Sequence, residues 1–143
     1  MDQFKSDLYY MRLAKETGKL SYCKRLQVGA IIVKDGNIVA YGFNGNLPGL
    51  TNTCEDISGD TLPTVMHAEA NAIAKAARST ISIDGATLYV TQSPCFECSK
   101  FIIMSGIKRV VYGEEYRISE PIDILRQCGV EVVKWRENGE PDA

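Results

Sequence analysis

The chain has 143 residues, with 16 Lys and Arg, 18 Asp and Glu, a single His and a formal net charge of −2. That length predicts one domain over 1–143, which buries roughly two-thirds of its unfolded surface and needs no disulfide to fold. No apolar run approaches the ~20 residues of a membrane span, residues 1–20 lack the apolar stretch of an export signal, and a pI near 5.4 argues against a broad nucleic-acid surface, so a cytoplasmic chain without membrane or stable nucleic-acid binding is expected.

Phe4, Leu8 and Met11 recur at helical spacing and Gly18 supplies a stop, which predicts an amphipathic first helix. Residues 28–33 read as a buried strand, Lys34-Asp35-Gly36-Asn37 as a hairpin turn, and 38–43 as the return strand. Residues 44–65 form a long irregular stretch with Gly45, Pro48, Gly49, Gly59 and Pro63. Loops that long in compact domains are usually functional or mobile. Residues 67–78 are Ala-rich and helical, 86–91 a strand, 95–105 a helix closed by Gly106, and 107–112 a strand. Ser119 before Pro121 marks a helix start. That helix runs to about 128, Gly129 closes it, 130–135 is a last strand, and 137–143 is a polar, frayed end. The order α-β-β-α-β-α-β-α-β predicts an α/β fold, a three-layer α/β/α arrangement around a mixed five-stranded sheet whose later strands run parallel.

Five cysteines are an odd count. Without an export signal a reduced state is expected and a disulfide framework is not. Two motifs concentrate the chemistry: His67-Ala68-Glu69 at the start of the second helix, and Pro94-Cys95-Phe96-Glu97-Cys98 opening the third. Alone, each reads as ordinary: a capping His, a first-turn Glu, a C-x-x-C pair. Together, one imidazole and two thiolates form the open three-ligand set of a catalytic Zn²⁺, with a fourth position for water. Cys95 and Cys98 share a helix face, and a helix N-terminus favours thiolates. Glu69 lies close enough to serve as base without being a ligand. The spacing H-x-E…P-C-x-x-C is the signature of zinc nucleobase deaminases. Positions i and i+2 diverge on a helix, so His67 and Glu69 serve one site only if the helix begins near His67 and not a turn earlier, near Thr64.

The stretches SYCKRLQVGAIIVKDGNIVAYGFNG (21–45), HAEANAIAKAAR (67–78) and SPCFECSKFIIMSGIKRVVYGEEY (93–116) resemble the deoxycytidylate (dCMP) deaminase branch of the cytidine deaminase-like superfamily. The resemblance implies hydrolysis of dCMP to dUMP and ammonia, on the route to dTTP. It implies His67, Cys95 and Cys98 as ligands of one zinc per subunit and Glu69 as proton shuttle. It places Asn44 against the substrate sugar and base, and Tyr116 near the 5′-phosphate, with Lys24 and Arg25 as further phosphate candidates. It further implies a homohexamer activated by dCTP and inhibited by dTTP with Mg²⁺, with effector contacts at Lys24, Gly42, Asn44, Gly45, Asn71 and Arg78. The second, structural zinc of some phage relatives uses additional His ligands, and His67 is the only His here. One zinc is therefore expected, with Cys23, Cys54 and Cys128 as packing residues. A tRNA or free-base deaminase is the nearest alternative. A zinc-stabilised interaction domain would require a fourth protein ligand, such as Glu97 or Cys54.

Overall fold

In the computed structural model, which describes residues 2–115 and 118–136, the chain begins with a capped helix. The Asp2 carboxylate accepts the Lys5 N–H at 2.8 Å, and α1 spans Gln3–Gly18. The hairpin β1 (Gly29–Lys34) and β2 (Asn37–Phe43) follows. Its two-residue turn places Asp35 and Gly36 at positive φ, 50° and 77°, the backbone that the right-handed strand twist requires and that Asp-Gly tolerates. Then come α2 (Ala68–Ala77), β3 (Thr87–Gln92), α3 (Phe96–Met104), β4 (Arg109–Glu114), α4 (Glu120–Gln127) and β5 (Glu131–Lys134).

The five strands form one sheet in the order β2-β1-β3-β4-β5. β1 pairs antiparallel with β2 and β3, and β3, β4 and β5 run parallel. This is the expected three-layer α/β/α architecture. Alternation along the strands sorts the side chains to two faces. Ala30, Ile32, Leu88, Val90 and Val110 pack with Ala68, Ala72 and Ala76 of α2, Ile102 of α3 and Leu125 of α4. Ile31, Val33, Tyr89 and Val111 pack with Tyr10, Met11 and Ala14 of α1. β1 is apolar on both sides because both sides are covered, which explains its unbroken Ala-Ile-Ile-Val run. Phe4 stays half-exposed, tilted against Trp135 with ring centroids 6.2 Å apart.

Beneath α1 lies an ion pair that local sequence pattern does not announce. Arg109 donates Nη1 to Asp7 Oδ1 and Nη2 to Oδ2, each at 2.8 Å. Tyr89 OH adds a third hydrogen bond to Oδ1 at 2.7 Å, and Gln3 Nε2 a fourth at 3.0 Å. Burial alone would raise the Asp7 carboxyl, but these donors outweigh it and hold the group below the usual carboxylate range. The cluster fastens α1 to β3 and β4.

Two expectations about cysteine are corrected. Cys23 and Cys54, 31 residues apart, form a disulfide with Cα atoms 5.1 Å from each other. The irregular stretch after β2 folds back on the segment after α1 and brings two buried sulfurs into bonding range. Cys128 is exposed at the end of α4 and fills no core space.

Candidate metal centre and adjoining cavity

The site is built where two helices start. His67 is the N-cap of α2, with extended backbone at φ −71°, ψ 157°, and its side chain makes no capping bond. Cys95 is the N-cap of α3, also extended, at φ −78°, ψ 175°. Because α2 begins at Ala68, His67 lies off the helix end, and the divergence of i and i+2 is avoided. The imidazole turns to the sulfurs: His67 Nδ1 lies 3.4 Å from Cys95 Sγ and 3.5 Å from Cys98 Sγ.

These spacings fit a metal ion. Zinc–sulfur and zinc–nitrogen bonds of about 2.3 and 2.0–2.1 Å, at tetrahedral angles, place N and S about 3.5 Å apart. All three donor atoms lie within 4.8 Å of one another. Among the described residues, nothing completes a closed four-ligand set. Glu97 is exposed and pairs with Lys100 at 2.7 Å, and Cys54 is committed to its disulfide. The set is open, as catalytic zinc centres are.

The surroundings favour an anionic sulfur at Cys95. A hydrogen bond from the Cys98 thiol pulls Cys95 down to about 4, assisted against burial by His67 and by the Cys98 backbone N–H. Cys98, as donor in that bond and largely buried, is pushed up, although the Ala70 N–H points at its sulfur. A divalent cation held between the two sulfurs would displace the protons of both thiols. The bond with Cys95 raises the His67 imidazole against the effect of burial.

Glu69, in the first turn of α2, is only 4% exposed. Burial lifts its carboxyl to about 7, against the pull of its own backbone N–H and of His67. It faces a cavity of about 380 Å³ whose lining also includes His67, Cys95, Asn44, Arg25 and Val65. That volume falls in the usual range for small-molecule sites. Asn44, just beyond β2, spends part of its amide on the fold. Its Oδ1 accepts the Val28 N–H at 2.8 Å and its Nδ2 donates to Leu26 O at 2.7 Å. This bond pair holds the 26–28 wall of the cavity and leaves one lone pair and one N–H for other partners.

Sequence reasoning named His67, Glu69, Cys95 and Cys98, which the structure brings together, and Arg25, which lies on the cavity wall. It missed Glu55, Thr61 and Glu115, which also line the cavity. Nothing local marks them, because they enter from irregular segments. The effector set comes from the 21–28 segment, the end of β2 and helix α2 with its C-cap. Gly42 is packed against α2, where an added Cβ would meet Ala68 O and Ala72 N. Gly45 pairs with Met66, Lys24 is exposed, and Arg78 caps the far end of α2 from Asn71. The Asn71 Oδ1 is buried without a hydrogen-bond partner. Tyr116 lies outside the described residues.

Comparison with known proteins places this geometry. Residues 4–114 match the family model for the cytidine and deoxycytidylate deaminase zinc-binding region. The chain is 35% identical over 165 residues to deoxycytidylate deaminase of Enterobacteria phage T4, covering 85% of this chain and 86% of that one. It is 39% identical over 123 residues to the deoxycytidylate deaminase of Mycobacterium phage D29, covering 76% and 94%. Its fold superposes with TM-score 0.89 and 50% identity on the crystal structure of dCMP deaminase from the cyanophage S-TIM5 in complex with dCMP and dUMP, covering 94% of this chain and 98% of that one.

Proposed function

The chain belongs to the cytidine and deoxycytidylate deaminase zinc-binding family, and we propose that it hydrolyses dCMP to dUMP and ammonia at the centre formed by His67, Cys95, Cys98 and Glu69. The observation that carries this reading is the convergence of three metal donors, two of them on the wall of a cavity that a buried carboxyl also lines. The deoxycytidylate deaminases it resembles support the nucleotide as substrate.

His67, Cys95 and Cys98 would hold Zn²⁺, which when bound would lower the pKa of water toward ~7 and so supply a nucleophile at neutral pH. Glu69 performs the proton transfers. It accepts a proton from the attacking water and delivers it to ring nitrogen 3 of cytosine, which makes carbon 4 electrophilic. After the oxygen adds at carbon 4, Glu69 carries the second water proton to the amino group. That group leaves as ammonia, and the ring keeps the oxygen. A carboxyl held near 7 by burial suits both directions of transfer. Arg25, on the cavity wall, supplies a cation for the 5′-phosphate, and Asn44 holds the wall that carries it and offers its free amide valences to the sugar.

Regulation belongs to the same reading: a cytoplasmic homohexamer supplying dTTP synthesis, activated by dCTP and inhibited by dTTP with Mg²⁺, through Lys24, Gly42, Asn44, Gly45, Asn71 and Arg78. Tyr116 joins the phosphate side. Specificity is tested by following the loss of cytosine absorbance with dCMP and with deoxycytidine, each with and without dCTP and dTTP. A much larger kcat/KM for dCMP is expected. Equal values for nucleotide and nucleoside would overturn the phosphate assignment.

A further inference from the structure

The stretch between β2 and α2 builds one wall of the cavity without any regular element of its own. Its base is tied by the Gly45–Met66 pair, through N–H···O bonds of 3.1 and 2.9 Å. Its far part is tied to the 21–28 segment at two adjacent points. One is covalent, the Cys23–Cys54 disulfide. The other is the Glu55 carboxylate, which accepts the Lys24 N–H at 3.1 Å and the Arg25 N–H at 3.2 Å. Both ties end beside Arg25, a cationic residue on the cavity wall. Cys23, Arg25 and Glu55 are themselves lining residues.

The cross-link lies outside the packed layers of the sheet. The two cores surround the sheet and include neither sulfur. Breaking the bond therefore loosens a wall and leaves the sheet, α2 and α3 in place. The two hydrogen bonds of Glu55 are solvent-exposed, and such bonds hold a loop weakly once a covalent tie is gone. Cys23 borders the cavity, so the buried disulfide has a route to a small thiol by way of the substrate opening.

We propose that the Cys23–Cys54 disulfide, with Glu55, is a redox-sensitive clasp that positions the Arg25 wall and so sets the affinity for the nucleotide. The chemistry is thiol–disulfide exchange with a monothiol such as glutathione. One thiolate attacks a protein sulfur, breaking the S–S bond and forming a mixed disulfide while the other cysteine leaves and takes a proton. A second glutathione thiolate attacks the mixed disulfide and releases the remaining cysteine as a thiol. Two glutathiones become one glutathione disulfide, and two electrons and two protons end on Cys23 and Cys54. The reverse reaction closes the clasp.

The effect on affinity rests on the reading of Arg25 as a phosphate contact, whereas the loosening of the wall does not. Zinc-loaded protein is equilibrated over a series of reduced-to-oxidised glutathione ratios. Denaturing alkylation with a chelator and intact-mass measurement counts the thiols. Three are expected with the clasp closed and five with it open. Opening is expected to raise KM for dCMP several-fold while kcat changes less than twofold and zinc stays at one per chain. The Cys23→Ser/Cys54→Ser double variant should behave as the open form at every ratio, and Cys128→Ala should respond like the parent. Hydrogen–deuterium exchange on the same samples reads the wall directly, with faster exchange in 21–28 and 44–66 on opening. Faster exchange without any dCMP turnover would leave the clasp standing and remove the dCMP reading. An unchanged exchange pattern, an unchanged KM across a completed thiol change, five thiols at every ratio, or a second zinc held by the reduced pair would each overturn the proposal.

Discussion

Glu69 carries a charge problem that the proposed proton transfer would turn to use. A carboxyl buried against α2 is costly to ionise, and burial lifts it to about 7, where it can both take and give a proton at neutral pH. A cation bound 67-95-98 and the N-terminal dipoles of α2 and α3 all lie on the side that favours the ionised form. Arg25 is the other decisive residue. A charge-assisted hydrogen bond is worth about 1.5–3 kcal/mol, which converts to roughly a 10- to 100-fold effect on binding. Arg25→Ala should raise KM for dCMP by that factor and leave deoxycytidine turnover nearly unchanged, as parallel steady-state assays would show. At this scale much was legible in the sequence. The candidate metal donors sit in two short motifs, and their geometry follows from lying at the starts of two helices at one end of the sheet. Cys23 and Cys54 were not legible as a pair, because their meeting depends on the path of an irregular stretch and the cellular argument pointed to free thiols.

Helix α2 is placed by contact, not by propensity alone. Gly42 of β2 lies directly beneath it, and an added methyl group would meet the backbone of Ala68 and Ala72. Gly42→Ala should displace the α2 N-terminus, cost about 1–3 kcal/mol of stability in a urea titration, and lower kcat because His67 and Glu69 move with the helix. Helix α1 depends on the buried Asp7–Arg109 pair. Removing one partner of such a pair leaves an uncompensated charge, so Asp7→Ala should cost about 3–5 kcal/mol. The sign of its pH dependence follows from the depressed Asp7 carboxyl. Its stabilisation is fully present above the ordinary aspartate value of about 3.9 and is lost as pH falls through the lower folded-state value. The stability gap between parent and Asp7→Asn should therefore narrow in denaturant titrations carried toward pH 2–3. The helix and strand order was readable from periodicity, Gly stops and the Asp-Gly turn. The pairing of Asp7 with Arg109, 102 residues away, was not, since neither residue stands out locally.

For the molecule as a whole, the sheet and its two apolar layers supply the stability, and one end of the sheet holds the chemistry. The cavity lies where β2 and β3 end and α2 and α3 begin, so the ends of the paired strands give rigid support to residues that reach open space. No helix among the described residues is long and apolar enough to cross a membrane. The disulfide closes a loop of 31 residues, for which chain entropy gives about 3–4 kcal/mol of stabilisation. Reduction should lower the thermal midpoint measurably while far-ultraviolet circular dichroism at 25 °C stays unchanged, because the cores do not contain the bond. Loss of the spectrum on reduction would show that the cross-link is needed for the fold itself.

The proposed chemistry rests on Glu69 moving protons for a hydrolysis supported by a metal at His67, Cys95 and Cys98. The most direct measurement is dCMP turnover by Glu69→Gln at matched zinc content. A general acid/base contributes typically ~10²–10⁴-fold, so the variant should keep one zinc per chain, keep its fold, and lose at least two orders of magnitude in kcat. A metal-loaded variant retaining more than about a tenth of the parental rate would contradict the account.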